Sequence, residues 1–219
     1  MNEIIIVTGG EIDDTLVSDS INHSENPYII GVDKGIEALE RLNIKPDLLI
    51  GDFDSAGESI KKKYAPDERT IILNPEKNLT DTHAALIEAV KLAKKNKSSI
   101  TILGATGKRI DHLLGNIGIL RYCLDNNIDA CIIDRYNKIR MMDKNKDIII
   151  KEKDLYGKFI SLIPFTDKVE GIMLEGFKYI PKGGVLVKDD TLGISNELIK
   201  EEGRISIKSG YLLLLETGD

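Results

Sequence analysis

Three acidic clusters in this 219-residue chain have the residue types and spacing that metal-assisted phosphate transfer requires: GDFDS at 51–55, TDTH at 80–83 and GATGKRIDH at 104–112. Each cluster lies where an apolar run that reads as a strand comes to an end. The carboxylates therefore fall at the carboxyl edge of a sheet, where open α/β sheets bind ligands. On a continuing strand Asp52 and Asp54 share a face, and two carboxylates held that close repel unless a cation or a shared proton compensates. With Asp81 they make an oxygen-only donor set suited to a hard divalent ion such as Mg2+, with water and phosphate completing the octahedron. Asp residues after strands also cap helices, and Thr80 or Asp81 would serve as the N-cap of the helix that follows.

The third cluster joins a strand to a helix. Gly104 and Gly107 free the backbone around Ala105 and Thr106 to turn amides toward an anion, the helix amino terminus adds to that field, and Lys108 and Arg109 add charge. The spacing is not the GxxxxGK[ST] phosphate loop, and a plain connection with solvated basic residues is the competing reading. Asp111 can be a cap, an organiser of the phosphate-binding groups or a general base toward a hydroxyl; organiser ranks above base. Asp33, after the strand at 28–32, falls on the same edge beside Lys34 and Gly35. It can contact a ribose, a base or a metal-bound water, or cap a helix. His83 reads as a surface or packing residue in a first helical turn, His23 falls in a polar loop without a role, and the lysine run at 61–63 reads as a solvated helix face.

These side chains need a frame. Apolar runs at 4–8, 28–32, 48–51, 70–73, 100–104 and 130–133 predict strands, several apolar throughout and therefore buried on both faces. Between them, 35–42, 82–95 and 111–124 have helical patterns; in the last, Leu113, Ile117, Leu120 and Leu124 share a face. Alternation of this kind predicts a mostly parallel Rossmann-like sheet with flanking helices. After residue 137 the pattern changes to short β runs at 139–142, 148–150, 159–163, 172–174, 184–187, 205–207 and 211–215, separated by Gly, Pro, Asp and Lys turns. That predicts an α/β domain over 1–137 and an all-β sandwich over 138–219. With 36 acidic and 30 basic residues the net charge is −6, which argues against nucleic-acid binding as the main role. Cys123 and Cys131 lack metal-ligand spacing and read as buried reduced thiols. The opening run has neither a basic leader nor a cleavage site, and no stretch approaches a membrane span, so a cytoplasmic protein is expected.

The motifs taken together are more specific than any one of them. VDKG at 32–35, PDLLIGDFDS at 46–55, KNLTDTHAAL at 77–86, GATGKRIDHLLGN at 104–116 and LGISNE at 192–197 make the chain resemble the thiamine pyrophosphokinase family over nearly its whole length. The resemblance implies an ATP-binding catalytic domain followed by a β-sandwich that binds thiamine and dimerises, with thiamine at the interface of a homodimer. It implies the reaction of thiamine with ATP to give thiamine diphosphate and AMP. Asp52, Asp54 and Asp81 match the family's magnesium-binding positions. Arg109 and Asp111 match the element that serves the phosphates; Gly104, Thr106, Gly107 and Lys108 of the same loop, with Asp33 and Lys34 after the strand at 28–32, complete the expected ATP contacts. Ser195 and Asn196 match an element near the thiamine pyrimidine, with Gly193 shaping the turn, although those residues alone read as a β-turn.

The chain also departs from the family pattern. Lys34 stands where a second glycine is common, Asn78 and His83 where carboxylates are frequent, and Lys108 where Gly is common. There is no Trp, so stacking on thiamine must come from Tyr, Phe or an aliphatic wall, or be absent. Two other functions use the same residues: a pyrophosphokinase for a hydroxymethyl pterin, and a non-catalytic thiamine or nucleotide sensor.

Overall fold

The computed structural model describes residues 2–51, 69–73 and 78–219. Asp52, Asp54 and the lysines at 61–63 lie outside the described residues. The chain divides into two compact units, Met1–Arg135 and Tyr136–Asp219.

The first unit runs β1 (Glu3–Val7), α1 (Asp14–His23), β2 (Tyr28–Val32), α2 (Lys34–Arg41), β3 (Leu48–Gly51), β4 (Thr70–Ile72), α3 (Asp81–Asn96), β5 (Ser99–Leu103), α4 (Ile110–Asp125) and β6 (Ala130–Ile133). The strands pair in the order β4-β3-β2-β1-β5-β6, and every one of these pairings is parallel. Strand β1 shows why an uninterrupted Ile run suits this position. Ile5 and Val7 pack with Val17 of α1 and Leu39 of α2, while Ile4 and Ile6, which point to the opposite face, are equally buried. Helix α3 packs over β1, β2, β3 and β5, with Ala85, Leu86, Ala89, Val90 and Ala93 forming its buried stripe.

Helix α1 has no counterpart in the sequence expectations, and His23 belongs to its last turn, its Nδ1 lying 2.7 Å from the Asp19 carbonyl, instead of to a loop. Asp13 starts this helix by accepting from the amides of Thr15 and Leu16, both at 3.0 Å. Its only buried residue is Val17, so the apolar period is faint. In α4 the buried residues are Asn116, Leu120 and Cys123, which sets the buried stripe beside the face expected from leucine spacing and puts a polar residue in it.

Neither cysteine is in a disulfide; Cys123 is buried and Cys131 only half-buried. Burial pushes the Cys123 thiol up from an ordinary value of 9.0 to about 12. It is expected to resist a thiol reagent at pH 8 until the chain unfolds, and fast labelling of Cys123 in the native protein would contradict this. The shift has no effect on stability well below pH 9, and stability falls as pH rises from there toward 12, because the unfolded thiol ionises first.

The second unit contains β7 (Asn137–Met142), β8 (Ile148–Lys151), β9 (Phe159–Pro164), β10 (Lys168–Glu170), β11 (Met173–Glu175), β12 (Val185–Val187), β13 (Glu202–Ser206) and β14 (Leu212–Thr217). Strand β14 lies between β7 and β9, β13 lies between β11 and β8, and β10 pairs with β12; all of these pairings are antiparallel. Leu212 and Leu214 of β14, Leu162 of β9, Ile150 of β8 and Ile205 of β13 meet in one core, as a sandwich requires. Strand β10 escapes the sequence pattern because Lys168 and Glu170 flank a single buried Val169. Strand β13 begins three residues before its apolar run, where Arg204 pairs with Asp147 at 2.5 Å and makes a charged segment pair in register.

Candidate active site

Strand β1 is where the parallel sheet changes direction: β2, β3 and β4 build to one side of it and β5 and β6 to the other. Connections leave the carboxyl ends of β1 and β5 in opposite senses, which opens a crevice between them. A cleft of about 470 Å3 occupies that position. Its walls are the turn at 8–10 after β1, Asp33 and Lys34 after β2, residues 80–82 at the start of α3, and the loop at 104–109 after β5, with His112 and Asn116 from α4.

Two glycine turns face each other there. The Gly10 amide donates to the Gly104 carbonyl at 2.7 Å, and the Glu11 amide donates to the Thr106 carbonyl at 2.9 Å. Gly104 has φ of +68°, and a Cβ on it would lie 2.3 Å from the Thr8 carbonyl oxygen, so no other residue fits without moving backbone. Arg109 occupies the N-cap position of α4 without making a side-chain cap. A guanidinium has donors only; the His112 amide donates to Asp111 Oδ1 at 2.9 Å, while the amides of Ile110 and Asp111 ahead of it remain available to an anion.

Asp33 sits at the N-cap position of α2 but makes no side-chain cap, which sets aside the helix-cap reading. Its backbone is held at φ 49°, ψ −123°, a region non-glycine residues rarely adopt. Thr80 resolves the ambiguity at α3: its Oγ1 accepts from the His83 amide at 3.2 Å, leaving the half-buried Asp81 in the first turn on the cleft wall. His83 meets the Tyr122 ring edge-on at 6.4 Å, in keeping with a packing role.

Arg109 and Asp111 form a two-point ion pair, Nε to Oδ1 at 3.1 Å and Nη2 to Oδ2 at 2.5 Å. The guanidinium beside it, with smaller help from the His112 amide, pulls the Asp111 carboxyl down to about 2. A carboxylate that acidic is a weak base at neutral pH, and its geometry instead aims Arg109.

Sequence reasoning did not single out the 8–10 turn or Asn116. Asn116 is buried and its Nδ2 donates to the Ala105 carbonyl at 2.8 Å, tying the loop to the body of α4. The available signals were a glycine pair directly after a strand and an amide on an otherwise apolar helix face. Asn116→Leu removes that donor and buries the Ala105 carbonyl unpaired, so about 1–3 kcal/mol of stability should go. Calorimetry checks this, and an unchanged stability would contradict the tie between loop and helix.

In the second unit, Asn196 is buried and its side chain is committed to Tyr179 and Glu197. Its Nδ2 donates to the Tyr179 carbonyl at 2.7 Å, and its Oδ1 accepts from the amides of Tyr179 at 3.0 Å and Glu197 at 2.9 Å. Ser195 is exposed at φ 58°, its amide donating to Ser161 Oγ at 3.0 Å. A Cβ on Gly193 would lie 2.1 Å from the Leu162 carbonyl oxygen, which explains glycine in that turn. Leu192, Ile194, Tyr179 and Ile180 are exposed.

Residues 21–132 match the family model of the thiamin pyrophosphokinase catalytic domain, and residues 146–212 match that of the thiamin pyrophosphokinase vitamin B1 binding domain. Over 221 aligned residues the chain is 36% identical to a thiamine pyrophosphokinase of Bacillus subtilis (strain 168), with the whole of both chains covered. The chain belongs to the thiamine pyrophosphokinase family. Solved structures agree: the B. subtilis thiamine pyrophosphokinase superposes with a TM-score of 0.86 at 34% identity over 100% of both chains. The thiamin pyrophosphokinase of Geobacillus thermodenitrificans gives 0.84 at 31%, covering 99% of this chain and 98% of that one. Most of the cleft falls within the segment matching the thiamin pyrophosphokinase catalytic domain, whereas the 8–10 turn precedes it.

Proposed function

We propose that this chain is a thiamine pyrophosphokinase that moves the β,γ-diphosphate of ATP to the hydroxyethyl oxygen of thiamine, giving thiamine diphosphate and AMP. The observation that carries the proposal is the cleft itself. Two glycine turns, a helix amino terminus, Lys34, Lys108, Arg109 and the carboxylates of Asp33 and Asp81 converge at the sheet's crevice in a chain of this family. The new bond joins the hydroxyethyl oxygen to the β-phosphorus; the bond that breaks lies between that phosphorus and the oxygen AMP retains.

Among the described residues no group of three or more His, Cys, Asp or Glu side chains could hold a metal ion. Asp81 at the cleft with Asp52 and Asp54 from the segment after β3 would make an oxygen-only set, which fits a hard cation that keeps water and phosphate ligands. Bound there, Mg2+ supplies charge neutralisation on the phosphate oxygens. The loop amides at 104–109 receive the polyphosphate, Arg109 meets the charge that builds on the transferring group, and Asp111 holds Arg109 in line. Lys34 and Lys108 raise the local attraction for the nucleotide.

Thiamine is assigned to the second unit, with Ser195 and Asn196 at its pyrimidine. The exposed Leu192, Ile194, Tyr179 and Ile180 around them suit a surface that a second subunit covers, so the working form is a homodimer with thiamine at the interface. Net charge of −6 argues against nucleic acid as a partner. Among the described residues no helix is long and apolar enough to cross a membrane, and the cytoplasm is the proposed compartment. Purified protein incubated with ATP, Mg2+ and thiamine should yield AMP and thiamine diphosphate in equal amounts, and neither product without metal. AMP formed only with a hydroxymethyl pterin would move the acceptor, and ligand binding without AMP would make the protein a sensor.

A further inference from the structure

The floor of the cleft carries two buried hydroxyls that the reaction as described does not use. Thr8 Oγ1 and Thr82 Oγ1 lie 2.7 Å apart, joining residues 74 positions distant in the chain. Both are buried, at 3% and 7% exposure, and both line the cleft. The separation is that of a good O–H···O bond, so one hydroxyl donates to the other away from water.

Each partner is the hinge pin of a different part of the site. The Thr8 amide donates to the Leu103 carbonyl at 2.9 Å, so Thr8 is fixed to the end of β5; two residues on, the Gly10 amide binds the Gly104 carbonyl. Thr82 is the second residue of α3, immediately after Asp81. Consecutive helical side chains are about 100° apart, so pinning Thr82 inward sets the direction in which Asp81 leaves the helix. A β-branched side chain has few χ1 choices, which makes the pin stiff.

The pair is not needed to start the helix, because Thr80 already caps α3 through the His83 amide. Nor is it the cheapest way to fill the space, since a valine pair has the same shape and no polar atoms to satisfy. A directional bond at this point fixes orientation where apolar contact would fix only proximity.

We infer that Thr8 and Thr82 are positioning residues for diphosphate transfer: their hydroxyl pair locks the amino terminus of α3, and with it Asp81, to the two glycine turns of the nucleotide site. The inference rests on the proposed reading of that cleft as the site of ATP and metal.

The test uses the full-length protein with Thr82→Val, Thr82→Ser, Thr8→Val and Thr8→Ser. Mn2+ binding in the presence of ATP and the absence of thiamine is followed by electron paramagnetic resonance, beside kcat, the thiamine KM and the melting temperature. Thr82→Val and Thr8→Val should each weaken Mn2+ binding about 10-fold and lower kcat about 30-fold with the thiamine KM within twofold, while both Ser variants stay within threefold of the parent throughout. Val variants that melt earlier yet keep parental Mn2+ affinity and kcat overturn the inference, as do Ser variants damaged as much as Val. Should one Val variant fail to fold, the other threonine's Val and Ser pair decides. A parent that binds Mn2+ and ATP but makes no thiamine diphosphate removes the acceptor reading alone, and the binding comparison still decides the hydroxyl pair; a parent that binds neither overturns both.

Discussion

Asp81→Asn should lower kcat by about 10²–10³-fold, a loss of roughly 2.7–4 kcal/mol of transition-state stabilisation, in a protein that remains folded. The two effects separate because Asp81 does different work in each. For the fold it is an acidic residue in the first turn of α3, with Thr80 doing the capping. Removing its charge costs about 0.3–1 kcal/mol through the helix dipole, a few degrees of melting temperature at this chain length. In the proposed reaction it stands on the cleft wall as one of the carboxylates that would hold the hard cation, and that cation offsets charge on the transferring phosphoryl oxygens. Asn keeps the shape and removes the charge, so kinetics and thermal melting read the two roles independently. Turnover within about threefold of the parent would remove Asp81 from the site.

Gly104→Ala should damage both stability and turnover. The residue sits at φ +68°, where a side chain costs about 1–2 kcal/mol, and the added Cβ would lie 2.3 Å from the Thr8 carbonyl oxygen. That oxygen belongs to backbone already fixed by the Thr8 amide to Leu103 and cannot swing aside. Overpacking of this kind costs a further 1–3 kcal/mol or so, and relief would come from parting the two glycine turns, which would also open the proposed nucleotide site. Gly115→Ala is the contrasting control. A Cβ there meets nothing within 4 Å, and Ala in a helix interior is favoured by about 1 kcal/mol. The melting temperature should fall for Gly104→Ala and rise for Gly115→Ala; the same sign for both would contradict the packing described.

Where burial is two-sided, the sequence announces the fold. Strands β2 and β3 begin and end at the residues expected from their apolar runs, because a parallel sheet covered on both faces tolerates little else. Helix α1 and strand β10 were illegible for the opposite reason: Val17 and Val169 are the single buried residues of otherwise polar segments. The loop at 104–109 was legible because glycines and basic residues stand together before a helix. The 8–10 turn was not, because a glycine pair after a strand means little until the sheet order sets β1 beside β5, and that pairing joins residues nearly a hundred positions apart. Asn116 and the two threonines share that difficulty, their roles being defined by partners that only the tertiary fold supplies. For Asp33 local grammar pointed to a helix cap as readily as to a ligand contact, and only the fold shows that no cap bond is made.

The most direct measurement is a single-turnover reaction of the purified chain with Mg2+, thiamine and ATP carrying an isotopic label on its β-phosphorus. Transfer of an intact diphosphate puts the label in thiamine diphosphate and leaves AMP unlabelled, with no ADP and no thiamine monophosphate at any time. Label retained in ADP while thiamine monophosphate accumulates would mean single phosphoryl transfers and would contradict the account.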